Sequence, residues 1–480
     1  MHIHILGICG TFMGSMALLA RDLGHTVTGS DANVYPPMST QLENAGVEIM
    51  QGYTADHLGK NGKYPTPDLI VVGNAMKRGI EAVEYMLDNA IPYISGPQFL
   101  AEHILHSRHV LAVAGTHGKT TTTTMLAWTL QFNGIDTGFL IGGVPLVNSD
   151  EPHLQKAFAH SSYLGKPTDD NELNGRGYFV IEADEYDSAF FDKRSKFVHY
   201  RPTTSILNNL EFDHADIFAD LDAIQTQFHH LIRMIPSNGV IIMPSETQSL
   251  EDTIQKGCWT PIWRTTINNH NGSDWQAELI KDDGTCFKIH FTDVDGNTHT
   301  GEVNWGMSGL HNVNNALVTV AAAHNIGVSV ADACTALSNF AGIKRRMELI
   351  GDVNGIQIFD DFAHHPTAIT TTLDGAKKKL AGKRIWAIIE PRSNTMKMGI
   401  HRDSLASSAS LADEVIWYEP ENLAWGLKEV IGDTPHQQVL TATQAIIDLI
   451  VEQTQPNDAI VIMSNGGFEG IHKRLVEALQ

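Results

Sequence analysis

Short apolar runs that end in glycine or in polar residues recur along this chain, and they predict buried strands. In the first third of the sequence they lie at 3–6, 25–29, 69–73 and 91–94, each followed by turn residues or by a helical pattern. Alternation of such strands with helices is typical of parallel sheets. The pattern therefore predicts an α/β fold that opens with a Rossmann-like unit.

The run at 109–114 carries the strongest chemical signal, because it leads into a Gly-Thr-His-Gly-Lys-Thr loop at 115–120 and then into helix formers. In such a strand–loop–helix unit, backbone N–H groups and the helix dipole bind phosphate. Lys119 can lie between the β- and γ-phosphates, and Thr120 can offer its hydroxyl to Mg²⁺. Val113 stands where the usual pattern has its first glycine, yet the flanking strand and helix disfavour a chance match in a surface loop.

The first strand leads into a turn that contains Gly7, Gly10 and Gly14, and the second strand is followed by Asp31. This spacing differs from the G-x-G-x-x-G of dinucleotide enzymes, so it favours a pyrophosphate ligand other than NAD. A strand–helix turn that packs without any ligand is the alternative. Asn74 follows the third run, at the sheet edge where ligands of open α/β folds bind.

Carboxylates follow the apolar run 178–181, in the segment 182–187. They repel one another unless a cation or ligand neutralises some of them, and Mg²⁺ prefers such oxygen ligands. A solvated acidic turn is the alternative. His214, after the run 204–207, is placed for a second metal ligand or a substrate contact, although a histidine there is more often structural. A predicted helix begins at 310–316, and Asn312 there is either a cap or a contact to a base.

Composition and charge limit the class of protein. A length of 480 residues predicts about three domains, and a formal net charge of −22 argues against a nucleic-acid-binding surface. Because no apolar run approaches ~18 residues, we expect no membrane span. The chain starts directly with a strand pattern instead of a signal peptide, and its four cysteines are far apart without a CxxC pair. These features predict free thiols in a reducing compartment and a cytoplasmic location.

Six motifs in a fixed order resemble those of one enzyme family. They are the phosphate loop, Glu-Ala-Asp-Glu at 182–185, Asn-Leu-Glu-Phe-Asp-His at 209–214, His-Asn-Val-Asn-Asn at 311–315, Lys-Arg-Arg at 344–346 and Asp-Asp-Phe-Ala-His-His-Pro at 360–366. Each motif is modest alone, but together they resemble the Mur ligases, ATP-dependent enzymes that form amide bonds in bacterial cell-wall precursors. The resemblance covers essentially the whole chain.

The resemblance implies three α/β domains and a reaction. Residues 1–108 would form a Rossmann-like UDP-sugar-binding domain, 109–342 a central P-loop ATPase domain, and 343–480 a Rossmann-like domain that binds the amine substrate. A substrate carboxylate would attack the γ-phosphate of ATP to give an acyl phosphate. The amine would then attack the carbonyl, and collapse of the tetrahedral intermediate would release amide and phosphate.

The resemblance also implies roles for single residues, with ATP and Mg²⁺ as cofactors. The implied catalytic residues are Lys119, His214 and Arg346. The implied metal ligands are Thr120, Glu182 and His214. The implied ATP-binding residues are Gly115, Thr116, His117, Gly118, Lys119, Thr120, Thr121, Asn312, Arg346, Asp361 and His364. The implied UDP-sugar-binding residues are Gly7, Gly10, Thr11, Met13, Gly14, Asp31 and Asn74.

Two predicted strands of the last third, at 385–389 and 459–463, end in loops suited to binding a peptide that carries several carboxylates. The candidate peptide-binding residues are Arg392, Ser393, Asn394, Ser464, Asn465 and Gly466. An arginine can bind a carboxylate through two hydrogen bonds, and backbone N–H groups of a glycine turn can bind another. A surface ion pair is the alternative for Arg392.

Within the family, the amine substrate separates two branches that share the ATP-site residues. The segments 8–14, 30–39 and 390–397 resemble the branch that joins UDP-N-acetylmuramate to the tripeptide L-alanyl-γ-D-glutamyl-meso-diaminopimelate in murein recycling. A UDP-N-acetylmuramate–L-alanine ligase is the alternative. Many family members carry a carbamylated lysine near a second metal, but this chain has no lysine between Lys196 and Lys256, so we expect no such group there. A kinase or NTPase switch and a nicotinamide-dependent oxidoreductase are disfavoured.

Overall fold

The structure, a computed structural model, describes residues 1–35, 38–143, 145–148, 150–167, 176–215, 217–267, 273–420, 423 and 425–480. The chain divides into two compact units, each built from three stretches of sequence. The first unit consists of Met1–Leu210, Ile224–Arg264 and Val318–Ser329. The second unit consists of Glu211–Ala223, Thr265–Leu317 and Val330–Gln480.

The N-terminal part of the first unit is a five-stranded parallel sheet with helices between the strands. Its elements are β1 (His2–Leu6), α1 (Thr11–Asp22), β2 (Thr26–Asp31), α2 (Met38–Asn44), β3 (Glu48–Gln51), β4 (Leu69–Val72), α3 (Glu81–Asp88), β5 (Tyr93–Ser95) and α4 (Gly96–His103). The strand order is β3-β2-β1-β4-β5. All four predicted strands are present, and the structure contains one further short strand, β3, that was not predicted. Because the strands are parallel, the residues after β1, β2 and β4 meet at one sheet edge.

A buried row of hydrogen-bonded side chains crosses β1 and β2. His4 is fully buried, and its ring nitrogens are hydrogen-bonded to Thr28 Oγ1 and Ser30 Oγ, both at 2.8 Å. The row continues from Thr28 to His2 at 2.9 Å and from Ser30 to His57 at 3.0 Å. Burial, followed by the nearby His57 and His2, lowers the pKa of His4 to about 3. His4 is therefore a neutral part of the core, satisfied by hydroxyl groups.

We expect this histidine to make folding stability depend on pH. Its folded pKa lies below the unfolded value, so the unfolded state binds more protons between about pH 6.5 and 3, and stability falls as the pH falls through that window. Each pH unit costs about 1.4 kcal/mol. The free energy of unfolding, measured by urea denaturation at several pH values between 7 and 4, should decrease less steeply with falling pH for His4→Gln than for the parent protein. His106→Gln, at an exposed position, is the control, and parallel slopes for all three proteins would contradict this prediction.

The rest of the first unit contains the predicted phosphate-loop sheet. Its elements, in chain order, are β6 (Arg108–Ala114), α5 (Lys119–Phe132), β7 (Gly138–Leu140), α6 (Pro152–Ala157), β8 (Ser162–Tyr163), β9 (Gly177–Glu182), β10 (Asp187–Ala189), β11 (Asp192–Ser195), β12 (Thr204–Leu207), α7 (Leu221–Ile232), β13 (Val240–Pro244) and α8 (Gln248–Gln255). Within this unit the strand order is β13-β12-β6-β9-β7-β8, while β10 and β11 form a separate hairpin. Residues 211–223, which include the start of α7, belong to the second unit.

The second unit combines a small antiparallel sheet with a second Rossmann-like sheet. Its elements, together with the two that extend into the first unit (β14 and α9), are β14 (Ile262–Thr266), β15 (Trp275–Leu279), β16 (Cys286–Thr292), β17 (Thr298–Asn304), α9 (Leu310–His324), α10 (Val330–Ser338), β18 (Glu348–Val353), β19 (Ile356–Asp361), α11 (Pro366–Lys379), β20 (Arg384–Ile389), α12 (Asn394–Lys397), α13 (Arg402–Ser408), β21 (Glu414–Tyr418), α14 (Leu427–Ile431), β22 (Gln437–Leu440), α15 (Thr443–Gln453), β23 (Asp458–Met463) and α16 (Ile471–Ala478). Strands β15, β16 and β17 pair antiparallel.

The C-terminal sheet has the order β18-β19-β23-β20-β21-β22, and all its pairings are parallel except that of β18. Apolar residues cover both faces: Trp417 lies in the core on one face and Trp386 in the core on the other. Burial on both faces explains why its central strands read as nearly continuous apolar runs. The parallel sheets of both units confirm the predicted α/β class.

Two expectations from composition can be compared with the structure. The four cysteines, Cys9, Cys258, Cys286 and Cys334, are free thiols. In the part of the chain that the structure describes, no helix is long and apolar enough to cross a membrane.

Candidate active site

The phosphate loop lies where three parallel strands end. Strand β6 pairs with β12 on one side and with β9 on the other, with Ala114 opposite Leu207 and Val113 opposite Glu182. The phosphate loop, the acidic segment 182–187 and the Asn208-Asn209 pair therefore emerge together at one edge of the sheet. This is the edge at which open α/β folds bind ligands.

Asn209 holds the phosphate loop in shape. Its side-chain oxygen accepts from His117 N at 2.7 Å, its amide nitrogen donates to His117 O at 3.0 Å, and its carbonyl accepts from Thr116 N at 3.3 Å. Gly118 caps α5 with a φ of 76°, a conformation that glycine adopts at little cost. A Cβ at Gly115 would lie 3.2 Å from the Asn209 backbone, so glycine allows this close approach.

Lys119 is held by the loop itself and by a buried carboxylate. Its Nζ donates to Gly115 O at 2.7 Å and lies 3.0 Å from Glu185 Oε2 and 3.9 Å from Asp184 Oδ1. Burial alone would lower the pKa of Lys119, but Glu185, Asp184 and Glu182 outweigh it and raise the pKa. The ammonium group is therefore charged, and an incoming phosphate would have to compete with Glu185 for it.

Glu182 and Thr120 form the predicted metal-binding pair. The Thr120 hydroxyl donates to Glu182 Oε1 at 3.0 Å, and Gly142 N donates to Glu182 Oε2 at 2.8 Å. Burial, followed by the charge of Asp184, raises the pKa of Glu182. A cation at this point would remove that penalty. Thr121, the last predicted residue of the loop, is buried within α5.

The predicted UDP-sugar residues gather at the matching edge of the N-terminal sheet. Gly7 has a φ of 85°, Gly10 precedes α1, and a Cβ at Gly14 would overlap the side chain of Met38. Met13 is buried, and its side chain lies against Gly73 and Gly96, so only its backbone is available to a ligand. Thr11, the first residue of α1, and Asn74, which follows β4, are exposed.

Asp31 uses both carboxylate oxygens to shape this loop. Oδ2 accepts from Cys9 N and Oδ1 accepts from Asn33 N, both at 2.9 Å. Asp31 therefore ties the glycine turn after β1 to the end of β2. A uridine contact by Asp31 stays a prediction, and it would have to coexist with these two backbone hydrogen bonds.

His214 lies in the second unit, where its neighbours fix its backbone. Its N–H donates to Asp213 Oδ1 at 2.7 Å and to Thr395 Oγ1 at 3.1 Å, and the Thr395 hydroxyl donates to Asp213 Oδ1 at 2.7 Å. Burial opposes ionisation of Asp213, but His214 and Thr395 outweigh it and lower the pKa of Asp213 to about 2. His214 also has a left-handed φ of 54°, which is uncommon for residues other than glycine, and both hydrogen bonds of its N–H hold it in this conformation.

The other predicted nucleotide residues of this unit surround Phe362. The Arg346 guanidinium lies 4.9 Å from the centroid of the Phe362 ring, and His364 Nδ1 is 2.9 Å from Phe362 O. Asp361 is buried and accepts from Met347 N at 2.9 Å and from Ala363 N at 2.8 Å. Burial raises the pKa of Asp361, while Arg346 and these N–H groups oppose the shift.

Asn312 does not cap its helix, because α9 already begins at Leu310. Its amide nitrogen donates to Ser308 O at 2.8 Å, so the cap interpretation is wrong. The neighbouring His311 is buried, and burial followed by Arg346 lowers its pKa to about 4. The start of α9 therefore lies near Arg346, which is compatible with a shared nucleotide site in this unit.

The two predicted peptide loops meet each other at the edge of the C-terminal sheet. A Cβ at Gly466 would overlap the Arg392 guanidinium, so Arg392 lies directly over this turn. Ser464 is fully buried and donates to Glu390, while its oxygen accepts from Gly466 N at 2.9 Å, so Ser464 shapes the turn. Asn465 Oδ1 is buried and has no hydrogen-bond partner among the described residues.

The second loop is less completely described. Ser393 accepts from Met396 N at 3.3 Å through its hydroxyl and precedes α12. Asn394 begins α12, but its side chain lies outside the described part of the structure.

Arg345 was not among the predicted site residues, yet it holds the peptide turn. Its Nη2 donates to Ser464 O at 2.7 Å and to Gly466 O at 2.9 Å, and its Nε lies 3.2 Å from Asp360 Oδ2. One planar guanidinium thus binds two carbonyls and a carboxylate. Its only sequence signal is its position beside Arg346.

Asn209 and Glu185 were also missed, although each follows a predicted strand. Their adjacency to the phosphate loop depends on the strand order, in which β12 and β9 flank β6. The sequence alone does not determine this order.

Comparisons with known proteins agree with this geometry. Three family models match in order: "Mur ligase family, catalytic domain" at residues 2–108, "Mur ligase middle domain" at 113–323 and "Mur ligase, glutamate ligase domain" at 345–466. A crystal structure of a murein peptide ligase from Psychrobacter arcticus is 70% identical with a TM-score of 0.78, covering 100% of this chain and 98% of that one.

Two relatives match this chain over nearly its full length. The chain is 50% identical to a UDP-N-acetylmuramate–L-alanyl-γ-D-glutamyl-meso-2,6-diaminoheptandioate ligase of Escherichia coli, covering 100% of this chain and 98% of the relative. It is 31% identical to a UDP-N-acetylmuramate–L-alanine ligase of Desulfitobacterium hafniense, with 99% of each covered. The predicted three-domain α/β fold and the predicted family are thereby confirmed, and the chain belongs to the Mur ligase family.

Proposed function

We propose that this protein joins UDP-N-acetylmuramate to L-alanyl-γ-D-glutamyl-meso-diaminopimelate, forming an amide bond at the expense of ATP in murein recycling. ADP and phosphate are the other products, and an acyl phosphate is the intermediate. Mur ligases are ATP-dependent amide-forming enzymes, and the full-length relatives named for this tripeptide reaction support the assignment. We also propose a cytoplasmic location, where ATP and nucleotide sugars are available.

One observation carries the choice of amine substrate. Identity is 50% to the tripeptide ligase of Escherichia coli but 31% to the alanine ligase of Desulfitobacterium hafniense, at nearly equal coverage. The peptide turn agrees with this choice, because Arg392 and the unpaired Asn465 Oδ1 lie on the turn at 464–466. A tripeptide with several carboxylates and an ammonium group would use both side chains, whereas alanine has few groups to reach them.

The phosphate-loop residues fit a bound Mg²⁺–ATP. Thr120 and Glu182 supply the hard oxygen ligands that Mg²⁺ prefers, and a bound cation would offset the burial and the Asp184 charge that raise the pKa of Glu182. When bound, Mg²⁺ neutralises phosphate charge. His214 stays our proposal for a second metal contact, and the loop N–H groups after Gly115 would bind the phosphate oxygens.

Different residues of the chain have different roles in this reaction. Lys119 would stabilise charge on the transferring phosphoryl group, and Arg346, with Asn312, Asp361 and His364, would seat the nucleotide. The glycine turn at 7–14 would bind the pyrophosphate of the UDP-sugar. The peptide turn would place the alanine amine by holding the distant diaminopimelate end, which makes the second step effectively intramolecular.

Gly466→Ala should weaken tripeptide binding without unfolding the protein. The added methyl group would displace the Arg392 guanidinium, a flexible side-chain end, from its place over the turn. Loss of a charged hydrogen bond to a carboxylate costs about 1.5–3 kcal/mol, so KM for the tripeptide should rise about 10-fold or more. Steady-state kinetics with each substrate varied in turn would measure this.

Gly467→Ala is the matched control, since a Cβ there meets no atom within 4 Å. Arg392→Ala should reproduce the effect of Gly466→Ala on KM for the tripeptide, with KM for ATP nearly unchanged. Equal rises in both KM values would indicate a structural role for Arg392 instead.

Phosphate release by the purified protein tests the reaction class. We expect release only when ATP, Mg²⁺, UDP-N-acetylmuramate and tripeptide are all present. With ¹⁸O in the muramate carboxylate, one labelled oxygen should appear in the released phosphate. Release without the UDP-sugar, or unlabelled phosphate with full turnover, would contradict an acyl-phosphate ligase.

A further inference from the structure

Lys196 is a nearly buried lysine that none of the roles above uses. It follows β11 and begins a short 3₁₀ helix, Lys196–His199. The hairpin of β10 and β11 turns the chain back, so that Lys196 N donates to Tyr186 O at 2.8 Å. Ser195 Oγ donates to Glu185 O at 2.6 Å. The fold therefore brings this lysine back onto the acidic segment 182–187.

The surroundings of the Lys196 ammonium are unusual for a structural ion pair. The side chain is 10% exposed, and Nζ donates to Asp184 Oδ2 at 3.3 Å. Nζ also lies 5.1 Å from the ring centroid of Phe12 and 5.5 Å from that of Tyr186. An ammonium has three donors, and Asp184 is its one hydrogen-bond acceptor among the described residues.

Lys196 lies between two parts of the site that must cooperate. On one side is Phe12, in the first turn of α1 and within the segment 7–14 proposed to bind the UDP-sugar. On the other side, Asp184 bridges Lys196 to Lys119, with Asp184 Oδ1 3.9 Å from Lys119 Nζ. The two ammonium groups and the carboxylate thus form a row from the UDP-sugar loop to the phosphate loop, within one unit of the chain.

We propose that Lys196 binds the lactyl carboxylate of UDP-N-acetylmuramate and positions it for attack on the γ-phosphate. This inference rests on the proposed function. A carboxylate oxygen forms the new bond to the γ-phosphorus, the bond from that phosphorus to the bridging oxygen breaks, and ADP leaves with the electron pair. Two anions must approach each other in this step, so a cation beside the carboxylate lowers their repulsion.

The test compares two nucleotide sugars that differ at the reacting group. UDP-N-acetylglucosamine lacks the lactyl carboxylate but keeps the UDP and the sugar ring. Calorimetry with Mg²⁺ and a non-hydrolysable ATP analogue would give Kd for both ligands. For Lys196→Met, we expect Kd for UDP-N-acetylmuramate to rise about 10- to 100-fold. Kd for UDP-N-acetylglucosamine should change less than about 2-fold, because this ligand has no lactyl carboxylate for Lys196 to bind.

Lys193→Met is the matched control, because Lys193 lies in the same hairpin but is exposed and pairs with Asp187. It should leave both Kd values unchanged. If Lys196→Met lowers the melting temperature strongly, Lys196→Gln replaces it, since glutamine can still donate to Asp184. Lys196→Arg, which keeps the positive charge, should retain part of the preference for UDP-N-acetylmuramate.

The outcomes separate this inference from the proposed function. Equal losses for both ligands, or no loss for UDP-N-acetylmuramate, would overturn carboxylate binding by Lys196 while the parent protein remained a ligase. A parent protein that does not prefer UDP-N-acetylmuramate over UDP-N-acetylglucosamine would instead contradict the proposed substrate.

Discussion

Replacing Lys119 by alanine is expected to lower kcat by about 10²–10³-fold. The transferring phosphoryl group loses a preorganised positive charge that stabilises the transition state by about 3–4 kcal/mol. The structure adds a second effect. Lys119 is the ammonium beside Glu185, whose side chain is only 3% exposed, so Lys119→Ala breaks a buried ion pair. Breaking such a pair costs about 3–5 kcal/mol of stability.

A double variant separates the two effects of this substitution. Glu185→Gln removes the buried negative charge that Lys119 balances, so Lys119→Ala/Glu185→Gln should recover most of the lost melting temperature but none of the turnover. Phosphate release and thermal denaturation would be measured for the parent, the two single variants and the double variant, which together form a double-mutant cycle. If the double variant regained turnover, or if Lys119→Ala turned over at a normal rate, Lys119 would have no part in the chemistry.

Arg345→Ala is expected to disable the peptide site. It removes two charge-assisted hydrogen bonds, to Ser464 O and Gly466 O, and the ion pair with Asp360. With about 1.5–3 kcal/mol for each charged hydrogen bond, kcat/KM for the tripeptide should fall about 100-fold or more. KM for UDP-N-acetylmuramate should change little, since the glycine turn that we propose for it lies in the other unit.

Two variants control for this effect. Lys344→Ala changes the exposed neighbour of Arg345 and should leave the kinetics unchanged. Arg345→Lys keeps the charge but not the planar fork, and it should remain close to Arg345→Ala in kcat/KM. Full activity of Arg345→Lys would show that the charge alone suffices and would contradict the proposed geometry.

The sequence predicted features whose signals are local. The apolar run 109–114 and the glycines after it predicted the strand and the phosphate loop, and the carboxylates after 178–181 predicted a polar cluster at a strand end. In both cases the signal and the structure lie within about ten residues, so periodicity and turn residues were sufficient. The antiparallel strands β15–β17 were not predicted, although apolar and polar residues alternate along β15 and along 287–292 of β16.

Residues that act through distant partners could not be predicted in this way. Arg345 binds a turn 119 residues away from it, and the Lys196 ammonium lies over the ring of Phe12 at the start of α1. Neither residue has a neighbouring motif that reveals its partner. Asn312 shows the opposite problem, since asparagine near a helix start suggested a cap, whereas its amide nitrogen donates to Ser308 O from inside the first turn of α9.

A direct competition between amine substrates tests the central claim most directly. Purified protein would receive ATP, Mg²⁺, UDP-N-acetylmuramate and equal concentrations of tripeptide and L-alanine, and mass spectrometry would identify the products. We expect UDP-N-acetylmuramoyl-tripeptide to be the dominant product. A reaction mixture containing mainly UDP-N-acetylmuramoyl-L-alanine would identify an alanine ligase and contradict the role proposed for Arg392 and the peptide turn.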